Sequence, residues 1–176
     1  LCPSPGYDRH CSVSANAGFE NVPVAMGPDG PDMDEVCRLV EGDSAVKGIW
    51  CVPKYSNPTG ITYSDETVRR MAALKPAAPD FRIFWDNAYV VHDLTDTPDE
   101  LLEVFGAVAE AGNDDLVYEF ASTSKVTFPG SGIAAVAASA ADADDLRAWF
   151  GIERVCCDKI TPVSYTHLRA HETCAD

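Results

Sequence analysis

The sequence has little positive charge. Its 176 residues include 13 lysines and arginines against 28 aspartates and glutamates, which gives a formal net charge of −15 at pH 7. So acidic a chain repels the phosphate backbone of nucleic acids and anionic membranes, and we expect it to bind neither. No apolar run approaches the roughly 18 residues that a membrane-spanning helix needs. No basic segment followed by an apolar one marks a secretory signal. These absences favour a cytoplasmic protein.

The cysteines lack the spacings that indicate a structural role. There are seven of them, and no two are spaced as C-x-x-C. The paired spacing of zinc ribbons is therefore absent, and a chain this rich in core residues does not need a disulfide framework. We interpret the cysteines as reduced thiols, several of them small core residues such as Cys51. His167 and His171 are four residues apart, but Leu168 stands where a zinc protease has glutamate, so we predict no metal site.

Continuous apolar runs alternate with helical patterns along the chain. The runs predict strands at 19–26, 46–52, 82–85, 116–121 and 133–139, and the helical patterns lie at 32–40, 64–74, 98–111 and 141–150. Strands that are apolar throughout are typical of a parallel sheet buried on both faces. The predicted fold class is therefore α/β, with three layers in the order α/β/α. The central layer is a mixed sheet whose strands are mainly parallel.

Polar side chains follow three successive strands. The segments are S-N-P-T-G after the second strand, D-N-A-Y after the third and S-T-S-K after the fourth. Taken singly, each has an ordinary interpretation as a turn, a cap or a surface lysine. In open parallel sheets, however, ligands bind at the carboxyl edge, where these three segments converge. The sequence thus predicts one pocket formed by Asn57, Asp86, Tyr89, Ser122, Ser124 and Lys125.

This constellation resembles the fold-type I aminotransferases that use pyridoxal 5′-phosphate, and it is most similar to their aspartate aminotransferase branch. The spacings are close to those of that family: 86 − 57 = 29 residues from Asn57 to Asp86 and 125 − 86 = 39 from Asp86 to Lys125. The resemblance covers residues 1 to about 160. It implies the family's large domain, truncated at both ends.

The resemblance implies roles for the amine and the carboxylate. Lys125 would form a Schiff base with the cofactor aldehyde and move the proton of the substrate α-carbon. Asp86 would face the pyridine nitrogen and keep it protonated, because a nearby negative charge favours the cationic form. A protonated ring withdraws electrons from the reacting carbon.

The resemblance also assigns the remaining cofactor contacts. Asn57 and Tyr89 would donate hydrogen bonds to the ring oxygen. Ser122 and Ser124 would bind the phosphate through hydroxyls and neighbouring N–H groups. Tyr7, in P-S-P-G-Y-D-R-H, occupies the position of the aromatic residue that stacks on the cofactor in the family, although it is also compatible with an ordinary loop tyrosine.

The sequence departs from the family in several places. No arginine follows Lys125 before Arg147, so Thr127, Ser131 or parts of the protein outside this sequence would have to help bind the phosphate. An upstream phosphate loop and the arginine for the substrate carboxylate are not found. We therefore interpret residues 1–160 as the central part of the cofactor-binding large domain and 161–176 as a non-family tail. We expect the isolated chain to be inactive or nearly so, and the full-length protein to be a homodimer that acts on amino acids and 2-oxo acids.

Other functions remain open at this stage. The same cofactor supports β-elimination and decarboxylation, since a fold does not fix the reaction. Aminotransferase-like domains also sense effectors in some bacterial transcription regulators, and the chain could be a non-functional truncation. The glycine motif at residues 130–135 matches G-x-G-x-x-A, but it precedes a predicted strand, whereas a dinucleotide site needs a helix there.

Overall fold

The computed structural model describes residues 1–93, 95–126, 132–154, 159, 161–164 and 166. Within these residues the strands are β1 (Cys2–Ser4), β2 (Pro23–Gly27), β3 (Gly30–Pro31), β4 (Gly48–Cys51), β5 (Arg82–Asp86), β6 (Val117–Ser122) and β7 (Ala134–Ala137). The helices are α1 (Asp8–Asn16), α2 (Met33–Gly42), α3 (Asp65–Ala72), α4 (Val104–Ala111) and α5 (Ala140–Glu153), and a 3₁₀ turn, Asp114–Leu116, precedes β6. No helix in this part of the chain is both long and apolar enough to cross a membrane.

The main sheet has the strand order β4-β5-β6-β7. The first three strands are parallel, with Cys51 opposite Trp85 and Asp86 opposite Phe120. Strand β7 pairs antiparallel with β6. A smaller sheet has the order β1-β2-β3, and it lies beside β4, where the Trp50 N–H donates to the Leu1 carbonyl at 3.1 Å. The prediction of a mainly parallel, mixed sheet is confirmed.

One face of the main sheet forms the hydrophobic core. Ile49, Ile83 and Val117 of neighbouring strands are fully buried there. They belong to the same cluster as apolar residues of α2, α3 and α4. The sequence specifies the start of two of these helices: the Asp32 carboxylate accepts from the N–H groups of Asp34 and Glu35, and the Ser64 hydroxyl accepts from that of Thr67. Such caps satisfy N–H groups that have no partner inside the helix.

The opposite face carries an aromatic row. Trp50, Phe84 and Phe120 lie side by side on β4, β5 and β6, with ring centroids 4.6 Å and 6.3 Å apart in succession. Helix α1 contacts this face through Ser14, whose hydroxyl accepts from the Trp50 indole N–H at 2.9 Å. Helix α5 contacts it through Asp142, which pairs with Arg82 of β5. Helices therefore lie on both sides of the sheet.

Three sequence predictions differ from the structure. The helix predicted at 98–111 begins only at Val104, because the Glu103 carboxylate accepts from the N–H groups of Phe105 and Gly106 and caps the helix there. The strand predicted at 19–26 begins at Pro23. The prediction contained no element before residue 19, and it missed β1 and α1. Helix α1 buries only His10 and so has little apolar periodicity to detect.

Candidate functional site

The carboxyl ends of β4, β5 and β6 lie side by side at one edge of the sheet. The parallel register brings Cys51 beside Trp85, and Asp86 beside Phe120. The segments that follow these strands therefore leave the sheet at neighbouring points. They are the three segments in which the sequence predicted functional side chains.

Asp86 is held by a histidine from the beginning of the chain. The His10 Nε2 atom lies 2.8 Å from Asp86 Oδ2, and because a carboxylate oxygen accepts, the ring nitrogen donates. The His10 ring is buried and stacks on Trp50 with 4.4 Å between ring centroids and 8° between their planes. Tyr7 packs edge-on against His10 at 5.2 Å. These contacts give the Asp86 carboxylate a fixed partner at the end of β5.

The residue after Asp86 connects two strand ends. The Asn87 N–H donates to the Phe120 carbonyl at 2.8 Å, and its side-chain amide donates to Glu119 Oε1 at 2.9 Å. Asn87 is buried. It therefore ties the segment that begins at Asp86 to β6, which leads to the predicted phosphate-binding serines.

Tyr89 and Lys125 face each other across this edge. The Lys125 Nζ atom lies 5.8 Å from the centroid of the Tyr89 ring. His92 packs edge-on against Tyr89 at 5.7 Å, and its Nε2 atom lies 2.9 Å from the Lys125 carbonyl oxygen, to which it donates. Lys125 is exposed, and in the described chain its ammonium has no carboxylate partner, in contrast to Lys47 and Lys54.

Asn57 lies in a closed loop after β4. The Ser56 N–H donates to the Ile61 carbonyl at 2.8 Å, and the Tyr63 N–H donates to the Pro53 carbonyl at 2.8 Å. The loop ends with Gly60 in the left-handed region, at φ 75°. Within the described residues, the Asn57 side chain makes no hydrogen bond to Asp86, Tyr89 or Lys125. The structure thus brings Asn57 to the same edge without a hydrogen bond to these three residues.

The predicted phosphate-binding serines lie at and after the end of β6. Ser122 closes the strand opposite Ala134, and Ser124 follows in a turn packed against Gly132. A Cβ atom on Gly132 would lie 2.7 Å from the Ser124 hydroxyl oxygen and 2.9 Å from its backbone nitrogen. Only glycine leaves room for this approach, so Gly132 serves loop packing here. Thr127 and Ser131, the proposed substitutes for the arginine, lie outside the described residues, as do His167 and His171.

A cavity of about 170 Å³ opens beside this edge. Its lining includes Tyr7, His10, Trp50, Ser56 and Tyr63. Burial raises the pKa of the Tyr63 phenol well above its ordinary value. Burial likewise raises the pKa of the Cys2 thiol, which also lines the cavity, to about 11. Both groups are therefore protonated and uncharged at neutral pH.

The comparison with known families agrees with this arrangement. The sequence model of the family described as aspartate amino-transferase matches residues 1–174. The chain belongs to the aspartate aminotransferase family. A protein from Mycolicibacterium smegmatis that is provisionally named an aminotransferase is 49% identical over 173 residues, which cover 96% of this chain and 39% of the relative. The aspartate aminotransferase of Corynebacterium glutamicum is 47% identical over 150 residues, 85% of this chain and 34% of that protein.

A solved structure supports the same assignment. The crystal structure of an aspartate transaminase from Corynebacterium glutamicum superposes with a TM-score of 0.90 at 43% identity, over 94% of this chain and 39% of that one. The resemblance inferred from the three strand-end motifs and the predicted fold class are both confirmed. The chain spans about two-fifths of the length of the relatives that it matches. The boundary proposed between residues 160 and 161 stays a prediction.

Two residues at this sheet edge were not predicted. His10 binds Asp86, which is 76 residues away in the sequence, and Asn87 bridges β5 and β6. Asn87 was visible in the D-N-A-Y motif, and its place directly after a buried strand is a usable signal. For His10 the only local signal was its position three residues after Tyr7, on the same face of a helix.

Proposed function

We propose that the protein containing this chain transfers an amino group between an amino acid and a 2-oxo acid with the help of pyridoxal 5′-phosphate. One observation carries the proposal: Lys125, without a carboxylate partner among the described residues, faces Tyr89 at the sheet edge where Asp86 is held by His10. The names of the relatives from Corynebacterium glutamicum support aspartate as one substrate. They favour transamination over the lyase and sensor alternatives.

The donor set fits this cofactor. An amine, a carboxylate, a phenol and two hydroxyls belong to adjacent strand ends, and they match an aldehyde, a ring nitrogen, a ring oxygen and a phosphate. Ser124 packs so closely on Gly132 that a Cβ atom would not fit between them, and this packing supports a fixed position for the proposed phosphate-binding turn. When bound, the cofactor supplies a protonated pyridine ring that withdraws electrons from the substrate α-carbon.

The chain's own residues would supply binding and proton transfer. Lys125 is the amine that would bond to the cofactor aldehyde and carry the α-carbon proton. Asp86, oriented by His10, would keep the proton on the ring nitrogen. Asn57 and Tyr89 would donate to the ring oxygen.

The remaining contacts concern the phosphate and the ring face. Ser122 and Ser124 would donate hydrogen bonds to the phosphate, and Tyr7 would cover the ring. Tyr7 also contacts His10, so the residue above the ring and the residue that orients Asp86 belong to one packed group. The homodimer, the cytoplasmic location and the low activity of the chain alone stay predictions.

Borohydride trapping tests the proposal. The purified chain is mixed with pyridoxal phosphate, reduced with borohydride, digested and mapped by mass spectrometry. We expect one label, on Lys125, because its amine faces Tyr89 at the proposed cofactor site. The Lys54 amine is buried and occupied by Asp93, and Lys47 is paired with Asp80.

The control is Lys125→Met, which removes the amine and keeps the length of the side chain. We expect this variant to lose the label and to keep the circular dichroism spectrum of the parent. A label on Lys54, or equal labelling of all lysines, would contradict the assignment of Lys125.

A further inference from the structure

Lys54 is a buried lysine that the proposed reaction does not use. It lies three residues after the end of β4, and only 7% of its surface is exposed. Its ammonium donates to Asp93 Oδ1 at 2.8 Å and to the Val90 carbonyl at 3.3 Å, and it lies 5.1 Å from the centroid of the Tyr55 ring. A buried ammonium is costly unless it is paired and hydrogen-bonded. The hydrogen bonds from Lys54 to Asp93 and Val90 are therefore needed to keep this lysine buried at the sheet edge.

Both partners of Lys54 belong to the turn that carries Tyr89. The turn, residues 89–93, follows Asp86 and is closed by the His92 N–H, which donates to the Tyr89 carbonyl at 3.0 Å. Lys54 contacts the turn from the β4 side. On the β6 side, His92 of the same turn donates to the Lys125 carbonyl, and the Tyr89 ring faces the Lys125 ammonium.

The turn has few other contacts that could hold it in place. Val90 and Val91 are exposed, so little apolar burial fixes the segment. Segments with few buried apolar contacts open locally at low free-energy cost, unless specific polar contacts restrain them. The Lys54 ammonium, with two acceptors in one turn, is such a restraint.

We propose that Lys54 is a positioning residue: by binding Val90 and Asp93 it holds the 89–93 turn against the sheet edge, and thereby sets the position of Tyr89 and of the Lys125 backbone. Lys54 thus influences Lys125 indirectly, through the turn that it binds, and its ammonium does not contact a substrate. The anchoring follows from this structure, and its consequence for cofactor bonding rests on the proposed function.

Hydrogen exchange of the chain without cofactor tests the anchoring. In Lys54→Met we expect the His92 amide, and the Val126 amide that donates to the Thr123 carbonyl, to exchange at least about tenfold faster, because the turn loses its restraint. The Trp85 amide in the core should keep its protection. Asp93→Asn provides a second variant that keeps the buried lysine, and it should change exchange in the same direction.

Lys47→Met is the matched control. Lys47 precedes the same strand and pairs with Asp80 at 2.7 Å, but this pair lies at the amino edge of the sheet and is partly exposed. This variant removes a lysine–aspartate pair of the same kind without touching the turn, so His92 and Val126 should exchange as in the parent. The proposal would be overturned if both amides exchanged at the parent rate in Lys54→Met and in Asp93→Asn. It would also be overturned if Lys47→Met accelerated their exchange as much as Lys54→Met does.

Trapping by borohydride gives the second readout. In Lys54→Met we expect the rate of labelling at Lys125 to fall at least about fivefold at unchanged circular dichroism, and the absorbance spectrum of the bound cofactor to shift, because misplaced amines react more slowly. Absence of any label in the parent chain would count against the proposed function, and the exchange data would still decide the anchoring. A normal labelling rate in a variant with accelerated exchange would overturn the positioning role.

Discussion

The thiol of Cys51 shows what burial does to a single titratable side chain at this site. Cys51 ends β4 and is 1% exposed. Burial raises the pKa of the thiol from 9.0 to about 12, and the neighbouring Tyr63 offsets only a smaller part of this shift. Only the thiolate reacts with alkylating reagents, so Cys51 should react slowly in the folded chain, although its neighbours Trp50 and Val52 line the cavity.

We therefore expect selective alkylation of the native chain at mildly alkaline pH. Iodoacetamide should modify Cys11 and Cys37, which are partly exposed, well before Cys51. Peptide mapping by mass spectrometry gives the order of modification. In denaturant, the three thiols should react at similar rates. Early modification of Cys51 in the folded chain would show that β4 opens locally, which contradicts a closed core at the site.

The same shift predicts the direction of alkaline unfolding. Because the pKa of Cys51 is raised on folding, its contribution to stability is intact below the ordinary value of 9.0. It is lost as the pH rises from there toward about 12. The free energy of unfolding should therefore fall across this range.

At the scale of single elements, β4 begins at a glycine that its neighbours require. A Cβ atom on Gly48 would lie 2.8 Å from the Arg82 carbonyl oxygen and 2.8 Å from the Phe84 ring. The carbonyl belongs to the adjacent strand and cannot move without displacing the ladder. We expect Gly48→Ala to lower the free energy of unfolding by about 1–3 kcal/mol, as overpacked sites do, measured by urea denaturation.

Gly42→Ala is the control for that substitution. Gly42 is the last residue of α2, and a Cβ atom there meets nothing within 4 Å. Replacing a helical glycine by alanine in open space should stabilise the chain by up to about 1 kcal/mol. Equal effects of the two substitutions would show that the strand contact is not responsible.

The elements that could be predicted from the sequence are those whose signals are local. The helix beginning at Met33 was found because apolar residues follow Pro31 at helical spacing. Strand β5 was found because its apolar run is bounded by polar residues. Helix α4 was placed too early because Leu101 and Leu102 pack against the core without being helical, so burial imitated helix periodicity.

The residues of the candidate site likewise fall into two groups, those with a local signal in the sequence and those without one. The sequence predicted that the segments carrying Asp86, Tyr89 and Lys125 meet, because each lies at or after the end of a strand and the topology of a parallel sheet brings these ends together. The partners His10 and Asp93 were not, because each bonds to a residue from another part of the chain. The sequence pattern of an element indicates its periodicity, but it does not indicate which side chains from other elements will contact it.

At the scale of the whole molecule, the two faces of the sheet are covered unequally. Helices α2, α3 and α4 share the buried core with one face. On the other face α5 is attached chiefly by polar contacts: its residues are largely exposed, including Trp149 and Ile152, and Asp142 is its one buried residue among those described. Asp142 accepts from Arg82 Nε at 2.9 Å and from a terminal guanidinium nitrogen at 3.0 Å. The attachment of the helix to the sheet thus depends on one two-pronged ion pair.

We therefore expect Asp142→Ala to lower the free energy of unfolding more than the removal of an exposed charge on the same helix does. A guanidinium is protonated at any pH at which the chain is folded, so Arg82 stays charged in the variant and loses its carboxylate partner. Loss of charge-assisted hydrogen bonds from a partly buried pair should cost about 2–3 kcal/mol. Asp144 lies two residues after Asp142 on α5 and pairs with Arg147, and both side chains are exposed. Asp144→Ala should therefore change the free energy of unfolding by less than about 0.5 kcal/mol. Urea denaturation gives both values, and equal costs would mean that α5 is held by contacts other than the Arg82 pair.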